Sequence, residues 1–425
     1  MNDAWSTDPI DAQDWCSRRR LGTVEIPVHC MRGGTSTGVV LWEPLLPADP
    51  QLREQLLRHL MGVPATGSHP GNRQITGLGR GPATSNKVFV MNVERSNERL
   101  RLVSTLAQLA SEHADVDWSV NCGNMSSALL LWALDLGLID TAHNGLCEVD
   151  IRNTNTGVVT SARMQRDAQG QFVDAVIPGV MGDYPAVDLF LHSPVGNKTG
   201  ALLPTGSVVD RVAGIEVSCV DVAVPMVIVD ARSLGKTGHE PITALEADRP
   251  FMATLREVWT QAGLKMGLRR KDGQLMNALE LQRSETVPKI CLVATPREGG
   301  HIAVRYFTPQ TAHASMAVSG GCCLAAACLI PGTTAQRIAS GIATVGEAFA
   351  DIQVSIENPA GRLDTTVVAA LNDRQLQIRS AAYRRNTQIL MRGHVPLYGA
   401  SNELQLALLA PIASSRSFQR QNAER

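Results

Sequence analysis

Asn121-Cys122-Gly123-Asn124 runs straight into Met125-Ser126-Ser127-Ala128-Leu129-Leu130-Leu131-Trp132-Ala133-Leu134. Far downstream, Ser319-Gly320-Gly321 runs into Cys322-Cys323-Leu324-Ala325-Ala326-Ala327-Cys328-Leu329-Ile330, closed by Pro331-Gly332. Both read as helices apolar on every side, and such a helix must be buried. A buried helix that begins in Gly, Ser and Asn offers unpaired backbone N–H groups and a positive dipole end. That combination binds anions. Two copies in one chain predict two similar lobes gripping one polyanionic small molecule, and the first copy carries a thiol.

Composition narrows the class. A length of 425 residues suggests two or three domains. Hydrophobic content of 44% and charged content of 19% supply enough apolar material for large cores. A net charge of -1 argues against a nucleic-acid binder, and 4% aromatics leave little for base stacking. The nine cysteines form no CxxC metal spacing, and Cys147, Cys291 and Cys328 sit in apolar runs where a thiol acts as a small hydrophobe. A reducing, cytoplasmic setting is expected. Arg18, Arg19 and Arg20 are not followed by an apolar segment, so residues 1–23 read as a solvated leader rather than an export signal. No run reaches the roughly 18 uncharged residues of a membrane span.

Strand-like runs dominate: Thr23 to Val28, Lys87 to Val93, Val149 to Ile151, Gly157 to Met164 and Val173 to Ile177, then Ile215 to Val229, Ile290 to Ala294, His301 to Phe307, Ile352 to Ile356 and Leu363 to Ala370. Besides the two apolar helices, Gln51 to Met61 and an amphipathic stretch from Ala244 to Leu264 read as helical. This is no strict βαβ alternation. A mostly antiparallel sheet curled round one apolar helix, made twice, fits the order. Turn residues from Pro194 to Gly206 suggest a boundary. The expected lobes are 24–196, joined by a C-terminal return at about 385–400, and 197–384.

Several residues have the chemistry of a site. Cys122 closes a loop before a buried helix, where the dipole favours thiolate; the alternative is a packed structural cysteine. Asn121, Gly123 and Asn124 beside it tolerate unusual backbone angles. Cys322 and Cys323 read as packing residues. In Met31-Arg32-Gly33-Gly34-Thr35-Ser36-Thr37-Gly38 the glycines admit a ligand to the backbone, and Arg32 can hold a carboxylate. No Gly-Lys-Ser/Thr follows, so this is not a P-loop. Lys87 is the one charge at the start of an apolar strand; partial burial would make it a general base, and a surface lysine at a strand edge is the alternative. Lys289 resembles it and suits anion binding better than catalysis. His313, just upstream of the second Gly turn, could bond a carboxylate or be structural. No metal-ligand cluster and no cofactor fingerprint is present.

Taken together, several stretches resemble the PrpF (2-methylaconitate isomerase) family. They are Pro27-Val28-His29-Cys30-Met31-Arg32-Gly33-Gly34-Thr35-Ser36, Arg73-Gln74-Ile75-Thr76-Gly77-Leu78-Gly79, Thr84-Ser85-Asn86-Lys87-Val88, Asn121-Cys122-Gly123-Asn124, Asn153-Thr154-Asn155-Thr156-Gly157, Gly200-Ala201-Leu202-Leu203-Pro204-Thr205-Gly206 and His313-Ala314-Ser315. The likeness runs in order from about Val24 to Val395. It implies an α+β, diaminopimelate-epimerase-like fold with the active site between two similar lobes. It also implies a cofactor-free isomerase that moves a C=C bond by 1,3-allylic proton transfer in a di- or tricarboxylate. Gly200 to Gly206, Ile215 to Cys219, Leu234 to Glu240 and Ala327 to Ile330 look most like the 4-oxalomesaconate tautomerases of gallate and protocatechuate breakdown. Aconitate and 2-methylaconitate are the alternative substrates, and a non-catalytic carboxylate-binding protein is the alternative class.

On this reading Lys87 and Cys122 carry catalysis. Arg32, Gly33, Gly34, Thr35, Ser36, Asn121, Gly123, Asn124, Lys289, His313, Ser315, Ser319, Gly320 and Gly321 bind substrate. No metal, nucleic acid or membrane is involved, and a homodimer is left open. Two departures matter. Thr37 stands where the family usually has Lys, and Ser319 stands where epimerases of this fold place a second cysteine, which argues against two-thiol racemisation.

Overall fold

The computed structural model describes residues 15–81, 85–96, 99–119, 121–140, 145–270, 272–284, 286–373 and 375–410. Residues 1–14 of the expected leader, and Thr84 of the Lys87 motif, lie outside the described residues. The chain divides into two compact units: Met1–Val176 with Val180–Asp188 and Arg385–Arg425, and Ile177–Gly179 with Leu189–Arg384.

The first unit is built from three antiparallel strand pairs: Thr23–Gly33 with Ser36–Trp42, Lys87–Ser96 with Arg99–Leu109, and Leu146–Asn153 with Val159–Gln165. Parallel contacts join one pair to the next, Val39 beside Val88 and Arg101 beside Asp150. Residues 387–396 of the long last strand, Gln375–Pro396, pair with Thr23–Gly33. Strand alternation gives the sheet two apolar faces. Val24, Ile26, Val28, Val39, Leu41, Val88 and Val90 pack on one face with Leu56, Leu57 and Leu60 of the helix Pro50–Met61. The short helices Gly123–Ser126 and Leu129–Asp135 lie on the other, the first touching the first strand pair and the second the third pair. A sheet that contacts one helical segment from both its ends must curl round it.

The second unit repeats the plan. Ile215–Val222 pairs with Val224–Asp230, Lys289–Ala294 with Ile302–Thr308, and Ala350–Asn358 with Gly361–Asn372. Parallel contacts again join the pairs, Met226 beside Lys289 and Ile302 beside Ile356. Helix Arg249–Lys265 packs through Leu255, Val258 and Trp259 on one face. Helix Val318–Leu329 lies on the other, against strands of the first and third pairs. The α+β expectation, a mostly antiparallel sheet round an apolar helix made twice, is met. The duplicated plan puts Lys87 and Lys289 in the same place: each opens the second strand pair of its unit.

Local differences have physical reasons. The run Met125 to Leu134 is two helical segments, Gly123–Ser126 and Leu129–Asp135, separated by a turn at Ser127 and Ala128. Ser126 and Ser127 turn their hydroxyls onto the carbonyls of Cys122 and Asn124, the local competition that weakens helices at serine. Ala244 to Leu264 is also two helices, Ile242–Ala247 and Arg249–Lys265. Asp248 ends the first and caps the second by accepting from Phe251 N–H, and Pro250 follows at the start. Ile215 to Val229 is a tight hairpin turning at Ala223, whose φ is +64°. Val173 to Ile177 yields only the two-residue strand Asp174–Ala175.

Behind the first unit's helix, His29 is fully buried and its Nε2 meets Asp135 Oδ2 at 2.9 Å. Asp135 is also bonded by Arg392, Trp15 lies 4.4 Å from the His29 ring with His394 beyond it, and Trp132 stands edge-on. Burial pushes the imidazole pKa down, against the pull of Asp135. The unfolded chain therefore binds a proton that the folded chain resists, so this contribution to stability is present above the unfolded histidine value of about 6.5 and is lost as pH falls below it. Urea unfolding of His29→Gln, which can still bond Asp135, should show a flatter decline in stability from about pH 7 to 5. The difference from wild type is at most about 1.4 kcal/mol per pH unit for one proton. Equal slopes would exclude His29 as the titrating group.

Candidate active site

The hairpin Gly33-Gly34-Thr35-Ser36 sits against the start of the first unit's helical segment, and glycine is required there. A Cβ on Gly33 would lie 2.4 Å from the Asn124 carbonyl oxygen and 2.9 Å from Met125 Cα. Gly34 has φ +53°, and a Cβ there would lie 2.5 Å from Asn124 Oδ1. The two glycines thus bring backbone against backbone. Asn124 Nδ2 then donates to Thr35 Oγ1 at 3.0 Å, and Arg385 Nε donates to Asn124 Oδ1 at 3.0 Å.

Cys122 is the residue before the helical segment, half-buried, with its N–H donated to Asn121 Oδ1 at 2.7 Å. Its Sγ lies 3.9 Å from Ser36 Oγ. The N–H groups of the first turn after it have no intrahelical acceptor, and no side chain caps them. Lys87 is only 7% exposed. Gly38 lies beside it: a Cβ there would come within 2.8 Å of the Lys87 carbonyl oxygen and 3.1 Å of Met125 Cε. Burial pushes the Lys87 ammonium below the usual lysine range, and a negative charge on Cys122 pulls it partly back. The two groups are therefore electrostatic neighbours. Ser36, Lys87, Cys122 and the first-turn N–H groups of Gly123 and Asn124 share one face of the sheet.

Arg32 is placed differently. It pairs across the hairpin with Thr37, one step from the Gly33–Ser36 pair, so alternation sends its side chain to the opposite face. Its Nη1 donates to Gly34 O at 2.9 Å and to Asn386 Oδ1 at 2.7 Å, and its guanidinium lies 4.5 Å over the Tyr184 ring. Nη2 is buried without a hydrogen-bond partner. Arg32 thus clamps the turn from behind.

In the second unit Ser319, Gly320 and Gly321 are the first turn of helix Val318–Leu329 rather than a loop before it. The glycines are there for packing. A Cβ on Gly320 would lie 2.5 Å from the Tyr306 ring, and one on Gly321 would lie 2.6 Å from Leu363. Ala317, at the cap position, leaves the first-turn N–H groups without a side-chain acceptor. Upstream, His313 Nδ1 accepts from Ser315 N–H at 2.9 Å, and Ser315 Oγ donates to Asn358 Oδ1 at 3.1 Å. Burial lowers the His313 pKa, and the positive charge of Lys289 lowers it further. Burial also lowers Lys289 itself. Tyr306 Oη and Asn358 Nδ2 are buried beside this group without hydrogen-bond partners.

Sequence reasoning missed Arg385, Asn386, Tyr184, Tyr306 and Asn358. The first two arrive on the returning last strand, which no local pattern ties to the turn at Gly33. Among the described residues no group of three or more His, Cys, Asp or Glu is placed to hold a metal ion, and no helix is long and apolar enough to cross a membrane.

Comparison with known proteins agrees over nearly the whole chain. The model of the PrpF protein family matches residues 23–398. A 4-oxalomesaconate tautomerase of Pseudomonas putida is 35% identical, over 82% of this chain and 90% of that protein. A (4E)-oxalomesaconate Delta-isomerase of Novosphingobium sp. is 34% identical, over 89% of this chain and 99% of that protein. Among solved structures, a crystal structure of methylitaconate-delta-isomerase superimposes with a TM-score of 0.73 at 27% identity, covering 89% of this chain and 98% of the other.

Gly33→Ala tests the close approach. Its Cβ meets backbone atoms on the helical side, which cannot rotate away. We expect destabilisation of about 1–3 kcal/mol, as for overpacked sites, together with loss of turnover. Thermal unfolding and a rate assay check this, and unchanged values for both would show that the turn does not hold the helix start.

Proposed function

The chain belongs to the PrpF family and is an isomerase, and from that premise we propose that it shifts a C=C bond by 1,3-allylic proton transfer in a tricarboxylate, 4-oxalomesaconate. The observation that carries the reading is the desolvated Lys87 amine beside the Cys122 thiol, on a face lined by uncapped backbone N–H groups. The two relatives named for oxalomesaconate support the substrate.

An allylic C–H beside a keto or carboxyl group is a weak acid. A neutral amine in a water-poor site can take its proton, because desolvation has already lowered the cost of being uncharged. Lys87 becomes an ammonium and the substrate a dienolate. Fixed N–H donors at Gly123 and Asn124 meet the developing negative charge without reorganising. The proton returns at the far carbon or the enol oxygen, from Lys87 or from the Cys122 thiol. In the second case Lys87 reprotonates the thiolate, and the cycle closes with no net change in charge. Proton transfer of this kind needs no cofactor.

Thr35, Ser36 and the Gly33–Gly34 backbone are proposed to hold one carboxylate. Arg32 is proposed to act through the turn whose carbonyl it bonds. In the second unit, Lys289, His313, Ser315 and the N–H groups of Ser319, Gly320 and Gly321 form the proposed carboxylate-binding set. The nine cysteines, none joined in a disulfide, fit the reducing cytoplasm we propose for it.

Lys87→Met should lower turnover by roughly 10²–10⁴-fold, the range for general acid–base catalysis. Cys122→Ser should match that loss if the thiol returns the proton, and fall short of it if Lys87 carries the proton both ways. The assay is proton NMR in deuterated water with 4-oxalomesaconate, aconitate and 2-methylaconitate in separate tubes. Deuterium entering 4-oxalomesaconate fastest is the expected result. A folded Lys87→Met with near-wild-type rates would remove Lys87 as the base, and a substrate left unchanged in every tube would favour a binding protein.

A further inference from the structure

Gln74 is a buried backbone outlier of the first unit. It is 2% exposed, and its φ is +54°, a left-handed conformation that a side-chain-bearing residue adopts only at a cost. Its carboxamide meets that of Asn86, which is fully buried, in a reciprocal pair. Gln74 Nε2 donates to Asn86 Oδ1 at 3.1 Å, and Asn86 Nδ2 donates to Gln74 Oε1 at 3.0 Å.

Every remaining site on the two amides is used. Asn86 Oδ1 accepts from Arg80 N–H at 3.0 Å and Asn86 Nδ2 donates to Gly81 O at 3.2 Å. Gln74 Oε1 accepts from Gly81 N–H at 2.8 Å and Gln74 Nε2 donates to Met61 O at 2.8 Å. Flipping either amide would set donor against donor and acceptor against acceptor, so only one arrangement satisfies the set. The loop is closed round it: a Cβ on Gly79 would fall 1.8 Å from Gln74 Nε2, and one on Gly77 would fall 2.2 Å from Gly62 N. The pair is thus tied to the C-terminal end of helix Pro50–Met61 on one side. On the other, the Asn86 carbonyl accepts from Leu109 N–H and from Gln108 Nε2, both at 3.0 Å. The next residue is Lys87.

We propose that the Gln74–Asn86 amide pair is a positioning element that fixes the backbone from which the Lys87 side chain leaves, and so aims its amine at the reacting carbon. The inference rests on Lys87 being the base. Neither amide is proposed to touch substrate. A shift of about an ångström at the start of the strand would spoil a proton transfer while leaving carboxylate contacts at the Gly33–Ser36 turn intact.

The test compares Gln74→Ala, Asn86→Ala and the double variant in steady-state turnover of 4-oxalomesaconate. Each is paired with ¹³C NMR titration of lysine ε-carbons in the same protein. We expect kcat to fall about 10- to 100-fold with KM within about twofold of wild type. The double variant should be no slower than the slower single, because one pair is lost in every case. The Lys87 resonance should titrate toward the ordinary lysine range in all three. Gln74→Asn keeps an amide too short for the full set; it should be intermediate, and it serves if Gln74→Ala does not fold. Folded variants with wild-type kcat and an unmoved Lys87 resonance would overturn the inference, as would KM rising in step with the loss of kcat. If Lys87→Met retains turnover, the base assignment fails separately, and the Lys87 resonance in Gln74→Ala still reports whether the pair positions that side chain.

Discussion

Removing the Lys87 amine from water disfavours its charged form, and much of the first unit can be read as the means of doing so. Gly38 lets the neighbouring strand lie close to the Lys87 backbone, and Met125 packs over the gap. A negative charge on Cys122 pulls the amine back toward protonation. The two effects oppose each other, with burial the larger. Hydrogen-bonding residues stand round this pair: Asn124 and Arg385 at the turn, Asn86 and Gln74 under the strand. Few of them can be exchanged for an apolar residue without leaving a buried donor or acceptor unpaired.

The duplicated plan places equivalent lysines in two different settings. Lys87 and Lys289 open equivalent strands, and both are lowered by burial. Each unit then ends its second strand pair in a short strand and starts a helix at a point with uncapped N–H groups. The units differ in what stands at the helix start. The first has a thiol at the cap. The second has Ala317 there, with Ser319 in the first turn, neither able to match a thiolate as a base. Acid–base chemistry is accordingly proposed for the first unit and anion binding for the second.

Much of this was legible in the chain. Apolar runs such as Ile290 to Ala294 and Leu363 to Ala370 became strands because alternation and β-branching report burial directly. The two apolar helices were found for the same reason. Their starts were misplaced where local chemistry overrode the pattern. Serine hydroxyls split the first helix at Ser127, and the glycines Gly320 and Gly321 read as a turn although they are a helix face pressed on Tyr306 and Leu363. A glycine in sequence shows only that a side chain is missing; whether it frees φ or admits a neighbour depends on packing. The Lys87–Cys122 juxtaposition was suggested by the motif set, not by spacing. Arg385 and Asn386 lie in the C-terminal return expected at about 385–400, but nothing in their residues tied them to the turn they hold, more than three hundred residues away. The placement of Arg32 behind the turn followed from a one-residue register that no composition argument fixes.

The most direct measurement is the titration of Lys87 itself. The chain has six lysines, few enough for each ε-carbon to be assigned by single substitution after ¹³C-lysine labelling. Burial predicts that Lys87 titrates below the ordinary lysine range. Proximity to Cys122 predicts that Cys122→Ser, which removes the ionisable thiol, lowers it further. A Lys87 resonance that titrates with the exposed lysines, or one indifferent to Cys122, would contradict the site described here.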